Sequence, residues 1–435
     1  MADKQVIRYH IDKDQEGLYF TIPFDVSGPA ASLRIRYSYE KERAECDGEW
    51  TRMIKRNRID LAVLAPDGRL VGSSGSNRSD VIEISVTHST PGYQRMEPVT
   101  GTWSILVGAY VIVDDGADVA CEIEVVPKQR RLYKGDLHTH TLASDGILTA
   151  YELGLHGQRH GLDFVAITDH NTPCALENLP NLDGFTFIPG MEWTHYRGHA
   201  NFLGVSSPLS GSFHANDASE VEARFAEAHN NGAVIVINHP YDPLYGFHFP
   251  LENLHADMIE VWNGPMRESN LRAIGAWQQQ LVSGLKVAAC CGSDYHRDNL
   301  FQYLGGPCMG VYADSSSAAD LLTALVQGHS FMVYGPDGPE VQLSASDGIL
   351  GDTVRLTGSV DLSIQAWRVQ KDDQVRLITA SGVVATWTAE EQGRLDAIYP
   401  IESSGFARLE IHRVFVPGLP ALPALVSNPI YFDRI

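Results

Sequence analysis

The chain opens with period-two alternation of apolar and polar residues. Runs such as Leu33-Arg-Ile-Arg-Tyr-Ser-Tyr, Ile59-Asp-Leu-Ala-Val-Leu and Val81-Ile-Glu-Ile-Ser-Val place apolar side chains on one face of an extended backbone. Pro66-Asp-Gly and Pro91-Gly mark turns between such runs, and Trp103-Ser-Ile-Leu-Val-Gly continues the pattern. Short strands with turns at this spacing predict a β-sandwich or jelly roll over 1–131 rather than helices.

From about residue 132 the period changes. Thr149 opens a helical stretch that ends near Gly161, and Leu162-Asp-Phe-Val-Ala-Ile follows it. A second helix is predicted over 218–230 before Ala233-Val-Ile-Val-Ile, and a third over 267–283 before Val287-Ala-Ala-Cys-Cys. Compact apolar runs alternating with helices imply β/α units around a parallel sheet. Between 135 and 335 there are enough of these runs to close a barrel, so 132–335 is read as one. Beyond Gly335-Pro-Asp-Gly-Pro the alternation returns in Asp361-Leu-Ser-Ile-Gln-Ala-Trp, Arg376-Leu-Ile and Ala407-Arg-Leu-Glu-Ile-His. With the Pro-rich loop from Pro417 before the last strand, 336–435 reads as a smaller β-sandwich. The aromatic residues of both sandwiches are expected in their cores.

Composition narrows the function. At 435 residues, 44% hydrophobic and 20% charged, the chain is globular rather than disordered. Its 33 Lys+Arg against 54 Asp+Glu give a formal charge of −21, which argues against a nucleic-acid surface or an anionic membrane partner. No apolar stretch approaches the roughly 20 residues that span a bilayer. The start, MADKQVIRYH, shows no basic segment followed by an apolar run, so a cytoplasmic location is expected. The six cysteines (Cys46, Cys121, Cys174, Cys290, Cys291 and Cys308) lack C-x-x-C spacing and read as reduced thiols, mostly buried. Oligomeric state is left open.

Histidine carries the chemistry. Thirteen of the 17 lie between His138 and His296, and several stand directly after a predicted strand. Gly135-Asp-Leu-His138-Thr-His140, Thr168-Asp-His170, Pro189-Gly-Met-Glu192, His199, Asn238-His239-Pro and Gly292-Ser-Asp294-Tyr-His296 are these blocks. In β/α barrels the C-terminal strand ends converge on one mouth. Alternate residues share a face, so His138 with His140, and Asp294 with His296, can each serve one ion. Imidazoles and carboxylates without thiolate suit zinc, manganese or iron.

These blocks, with Ser144-Asp145-Gly, resemble the PHP (polymerase and histidinol phosphatase) metal-dependent phosphoesterases over about 132–335. The front sandwich and Glu192-Trp-Thr-His-Tyr-Arg-Gly-His-Ala-Asn are similar to the CehA/McbA (carbaryl-hydrolase-like) branch. The resemblance implies an α/β fold: a distorted seven-stranded β/α barrel, here flanked by the two sandwiches. It also implies two to three divalent ions. His138, His140, Glu192 and Asp294 would hold one, with Glu192 bridging to a second completed by His199 and His239. Asp145, His170 and His296 would hold a third. His199 is preferred at its position, with Asn201 and His195 as alternatives.

Three such ions would leave the site at about +3, enough to draw a small anionic substrate such as a phosphate despite the global charge. A water on the ions would act as the nucleophile, its pKa lowered toward about 7, and no protein nucleophile is assigned. Arg197, Arg267 and Arg297 are candidate phosphate clamps, although a solvated surface role is the first reading of each, and Asn201, Tyr241, His248 and Asn263 are weaker substrate contacts. Asp136 and Asp169 are expected to orient imidazoles rather than bind metal. His156, His160, His214, His229 and His255 are read as structural. The leading expectation is a phosphoesterase for a small phosphorylated molecule or nucleotide. Hydrolysis of an ester, carbamate or amide at the same site is the alternative, and a non-catalytic binding protein is a third. An amidohydrolase barrel is disfavoured because Lys286 is the only lysine between Lys134 and Lys371 that could bridge metals.

Overall fold

The computed structural model describes residues 3–47, 50–75, 81–174, 179–250 and 254–434. The chain forms two compact units, Met1–Gln129 and Arg130–Ile435.

The alternating pattern of the first unit folds as two four-stranded antiparallel sheets. One runs in the order Asp3–Ile11, Ala117–Pro127, Ala30–Ser38, Ile82–Ser85, and the other Tyr19–Val26, Gly101–Val111, Arg58–Leu64, Leu70–Ser74. In-register pairs such as Ile35 with Ile123 and Ile22 with Ile105 put their side chains into one buried cluster around Trp103. Burial of these alternate positions is what holds the strands in register.

In the second unit, between residues 131 and 292, the parallel pairing falls into two blocks. The first joins Arg131–Asp136, Phe164–Ala166 and Thr186–Ile188, and the second joins Val234–Ile237, Met258–Asn263 and Ala288–Gly292. The sheets here are therefore mixed, where the apolar runs alone suggested β/α units around a parallel sheet. Gly190–His195 and Gly198–Leu203 pair antiparallel, because only Tyr196 and Arg197 connect them and a parallel crossover needs a dozen or so residues. Gly198 closes that hairpin at φ +152°, where a Cβ would also meet the Phe247 ring at 2.6 Å. Cys308–Ala313 runs antiparallel beside Arg131–Asp136 and leads into an eleven-stranded mixed sheet. Two isolated bridges, His170 with Glu192 and Thr139 with Tyr295, join the separate sheets. Both seams lie in the histidine-rich blocks.

Helices Ala150–Arg159, Ala218–Asn230, Glu268–Val282 and Ala318–Val326 accompany these strands. The first three fall where expected. Thr149 caps the first, its hydroxyl accepting from the Glu152 N–H while the Glu152 carboxylate accepts from the Thr149 N–H. Toward the C-terminus, Leu422–Ser427, Gly405–Arg413 and Gln374–Thr379 extend the eleven-stranded sheet, while Glu340–Ala345, Val360–Val369 and Gly393–Ile401 belong to a separate antiparallel sheet. One apolar cluster runs through both regions, from Leu153, Val165 and Phe187 to Leu343, Ile364, Leu377 and Leu409. Cys121, Cys290, Cys291 and Cys308 are buried, Cys174 is half-buried and Cys46 is exposed. No helix among the described residues is long and apolar enough to cross a membrane.

Candidate metal centre

Local pairing continues past the ends of the strands and fixes the first histidine block. The Thr139 N–H donates to the Thr168 hydroxyl at 3.0 Å, and the His140 N–H donates to the Tyr295 carbonyl at 2.8 Å. Segment 138–140 is thus clamped between the blocks that carry His170 and Asp294. Two of the residues singled out as ligands have backbone in the left-handed region, Asp294 at φ 53° and His239 at φ 27°. Strain of this kind persists where surrounding contacts hold it. Here the His239 N–H donates to Glu260 Oε2 at 2.8 Å.

Glu192 is the centre of the cluster. Its carboxylate is buried and lies within 3.5 Å of five imidazoles: His170 Nδ1 at 2.8 Å, His199 Nδ1 at 3.1 Å, His138 Nε2 at 3.2 Å, and His140 Nε2 and His239 Nε2 at 3.5 Å. Asp294 Oδ1 is 3.1 Å from His140 Nε2 and 3.4 Å from His138 Nε2. Asp145 Oδ1 is 3.1 Å from His296 Nε2, 3.6 Å from His170 Nε2 and 3.9 Å from His140 Nδ1.

The nine residues singled out from the sequence therefore converge. They form four overlapping groups with ligand atoms within 4.8 Å of one another: His138/His140/Glu192, His138/His239/Asp294, Glu192/His199/His239 and His140/Asp145/His170/His296. His140 faces Glu192 and Asp294 through Nε2 and Asp145 through Nδ1, so it stands between two groups rather than in one. Asn201 and His195 are committed elsewhere. Asn201 donates to the Leu137 carbonyl and accepts from Asn238, while His195 Nε2 meets the Ala215 carbonyl and its Nδ1 accepts from the Arg197 N–H.

The donor set passes a test of fit for cations. Four of the seven buried side-chain polar atoms without a well-formed hydrogen bond among the described residues lie here: His140 Nδ1 and His239 Nδ1, and His138 Nε2 and Glu192 Oε2, which meet only other ligand-type groups of the cluster. Buried polar groups are rarely left so, and divalent ions among these imidazoles and carboxylates would satisfy those that face the cluster. Burial alone would raise the Glu192 carboxyl, but the imidazoles of His138, His170 and His199 outweigh it and hold it well below the usual carboxylate range. Asp294 is held low in the same way by His138 and His140. Burial disfavours charge on His138 too, yet Asp294, Glu192 and Glu260 together raise its pKa well above that of a free imidazole.

Glu260 is the main residue that sequence reasoning missed. It is buried, and its Oε1 lies 3.0 Å from His138 Nδ1, fixing the ring so that Nε2 faces the cluster. Its signal was present: a lone acid inside the apolar strand run Met258-Ile-Glu-Val-Trp. As a fourth carboxylate it lowers the residual charge expected with three ions to about +2. Asn238, donating to Glu192 Oε1 at 2.8 Å, and Thr194, 2.7 Å from His170 Nδ1, were also missed. Asp136 and Asp169 bind backbone and hydroxyl groups, not imidazoles. Asp136 accepts from Ser293 and the amides of His138, Ser293 and Gly305, with burial pushing it up to about 6, while Asp169 accepts from Thr141 and Ser144.

The candidate substrate contacts divide. Asn263 is buried, 3.2 Å from Glu260 and 3.5 Å from Asp294, and accepts from Arg267, whose guanidinium also pairs with Asp242 at 3.3 Å. Arg297 reaches the Asp145 carbonyl at 3.5 Å. Arg197 lies over the Phe249 ring and donates to the His248 carbonyl, while Tyr241 faces Arg272. Tyr245, not anticipated, stands 5.8 Å from the His199 ring and is 57% exposed.

No family model and no curated protein matches the chain. Among solved structures it is similar to a two-domain protein from Bacteroides vulgatus containing a predicted PHP-like metal-dependent phosphoesterase, at 20% identity over 68% of this chain and 95% of that one, TM-score 0.41. It is also similar to a provisionally assigned metal-dependent phosphoesterase from Bifidobacterium adolescentis (17%, 39% and 90%, TM-score 0.29). An amidohydrolase from Chromobacterium violaceum with bound sulfate and no metal matches at 16% identity over 39% and 89%, TM-score 0.28. At such distances the chemistry has to be argued from the site itself.

Proposed function

We propose that this chain is a metal-dependent hydrolase of the PHP type, a phosphoesterase for a small phosphorylated molecule or nucleotide. The observation that carries the reading is a buried carboxylate within 3.5 Å of five imidazoles. Glu192 would bridge ions held by His138, His140 and Asp294 on one side and by His199 and His239 on the other. Asp145, His170 and His296 would hold a third, sharing His140. Zinc, manganese or iron bound there supplies Lewis acidity that lowers the pKa of water toward about 7 and neutralises charge on a phosphoryl group.

The chain's own residues prepare that chemistry. Glu260 orients His138, Asn238 orients Glu192, and Thr194 orients His170. Arg267 offers a guanidinium about half exposed, tethered to the cluster through Asn263, and is the favoured phosphate clamp, with Arg297 second. Protein loaded with each metal should hydrolyse at least one member of a broad phosphate-ester panel, and Glu192→Gln should abolish that turnover. Failure on the whole panel by metal-replete protein would remove the phosphoesterase reading. One observation favours a second reading: the exposed Tyr245 ring beside His199 offers an apolar wall suited to an uncharged ester, carbamate or amide. Parallel assays of aryl carbamates and aryl phosphates separate the two.

A further inference from the structure

Aromatic rings left in solvent are not all alike. Tyr19, Trp50 and Tyr110 of the first unit are exposed, which corrects the expectation that the sandwich aromatics are core, and Trp367 carries the Arg394 guanidinium over its ring. Tyr245 differs in its place. It is more than half exposed, and its one ring neighbour among the described residues is His199 of the metal centre.

The loop that carries it is fixed by its own hydrogen bonds. Asp242 Oδ1 accepts from the N–H groups of Leu244 and Tyr245 at 2.9 and 3.0 Å, while the Asp242 and Phe247 N–H groups donate to the carbonyls of His239 and Pro240. A Cβ at Gly246 would meet the Asp242 carbonyl at 2.6 Å, so glycine alone lets the turn close this tightly. The same carboxylate also reaches out of the loop. Asp242 Oδ2 pairs with Arg267, which donates to Asn263 Oδ1 at 3.0 Å, and Asn263 in turn lies against Asp294. One acid therefore ties the backbone of Tyr245 to the guanidinium of Arg267. Both groups converge on the cluster, the ring beside His199 and the guanidinium through Asn263. A ring already held in place can receive a flat apolar group with little further ordering.

We propose that the substrate of this site is a phosphate ester whose alcohol side carries a flat apolar ring, seated on Tyr245 with its phosphate toward Arg267, and that Asp242 is the positioning residue for both. The inference rests on the phosphoesterase reading above. The test is calorimetric titration of the metal-loaded full chain with phenylphosphonate and methylphosphonate, which share the anionic head, differ in the ring and have no ester bond to hydrolyse. Phenylphosphonate should bind about tenfold or more tighter. Tyr245→Ala should remove most of that preference and Tyr245→Phe should keep it. Asp242→Ala should lose it, whereas Asp242→Asn, whose amide oxygen still accepts from Leu244 and Tyr245, should keep it. Should Asp242→Ala fail to fold by circular dichroism, the two Tyr245 variants decide. Equal binding of the two phosphonates, binding of neither, or a preference that survives Tyr245→Ala would overturn the proposal. A ring preference without turnover of any phosphate ester would strike the phosphoesterase reading and leave the ring wall standing, while turnover without a ring preference would strike this inference alone.

Discussion

A carboxylate buried among five imidazoles has to stay ionised to be useful, and at Glu192 those imidazoles keep it so. Glu192→Gln preserves shape but removes the charge at the centre. We expect bound metal, read by plasma mass spectrometry, to fall below one equivalent while the circular dichroism spectrum is retained. Glu260→Gln acts more gently, because the amide can still meet His138 but no longer as an anion. Metal affinity measured against a competing chelator should drop about 10–100-fold. Gly292 tests the packing behind both, since a Cβ there would lie 2.3 Å from the His138 Cβ and 3.0 Å from Glu260 Oε1. Gly292→Ala should destabilise by roughly 1–3 kcal/mol in denaturant unfolding and weaken metal binding as well; unchanged affinity would show that His138 is less tightly held than described. Most of the clustered residues were legible from strand-end position and residue type, while Asp145, in a turn, and the choice of His199 over Asn201 and His195 came from the family resemblance. Glu260 was not singled out because its role depends on which strand lies beside His138, and that is tertiary information.

At the scale of elements, Gly405–Arg413 shows where alternation misleads. Its polar positions Arg408, Glu410 and His412 suggest a solvated face, yet Arg408 is 2% exposed and Glu410 8%. The face is covered by Glu268–Val282: Arg408 Nε donates to Gln278 at 2.7 Å and its guanidinium lies over Trp277. Glu410 bridges Arg408 and His412, both at 2.7 Å. Burial would raise Glu410, but His412 and Arg408 prevail and hold it at about 2. A depressed carboxyl stabilises the fold above its unfolded value near 4.5 and loses that contribution as pH falls toward 2. Glu410→Gln should therefore cost about 3 kcal/mol or more at neutral pH, by leaving Arg408 buried without its charge partner. The penalty should shrink as wild type and variant are compared at pH 4.5 and then 3, by chemical denaturation. A penalty independent of pH would contradict the arrangement. Three of the four helices among the described residues, in contrast, were legible to within a residue or two, two of them opened by the cap oxygens of Thr149 and Asp217, whereas Ala318–Val326 was not singled out. The antiparallel hairpin at Tyr196-Arg197 was not legible as such, since its strands carry the same apolar runs as parallel ones.

For the whole molecule, the candidate metal ligands lie entirely within Arg130–Ile435, while Met1–Gln129 has a separate core around Trp103. Ligands that bind only the folded state stabilise the unit that holds them. Calorimetric unfolding with and without zinc or manganese should raise the transition of the second unit and leave that of the first in place. The acidic balance and the three-way change of hydrophobic period were plain in the sequence. The continuity of one apolar cluster from the histidine-bearing region into 336–435 was not, because it depends on strands meeting edge to edge across a hundred residues. The most direct test of the account is anomalous X-ray scattering from crystals grown with saturating zinc, manganese or iron. Two or three peaks should appear, one beside Glu192 between His138 and His239 and another among His140, Asp145, His170 and His296. An empty cluster at full saturation, or peaks confined to other surfaces, would contradict it.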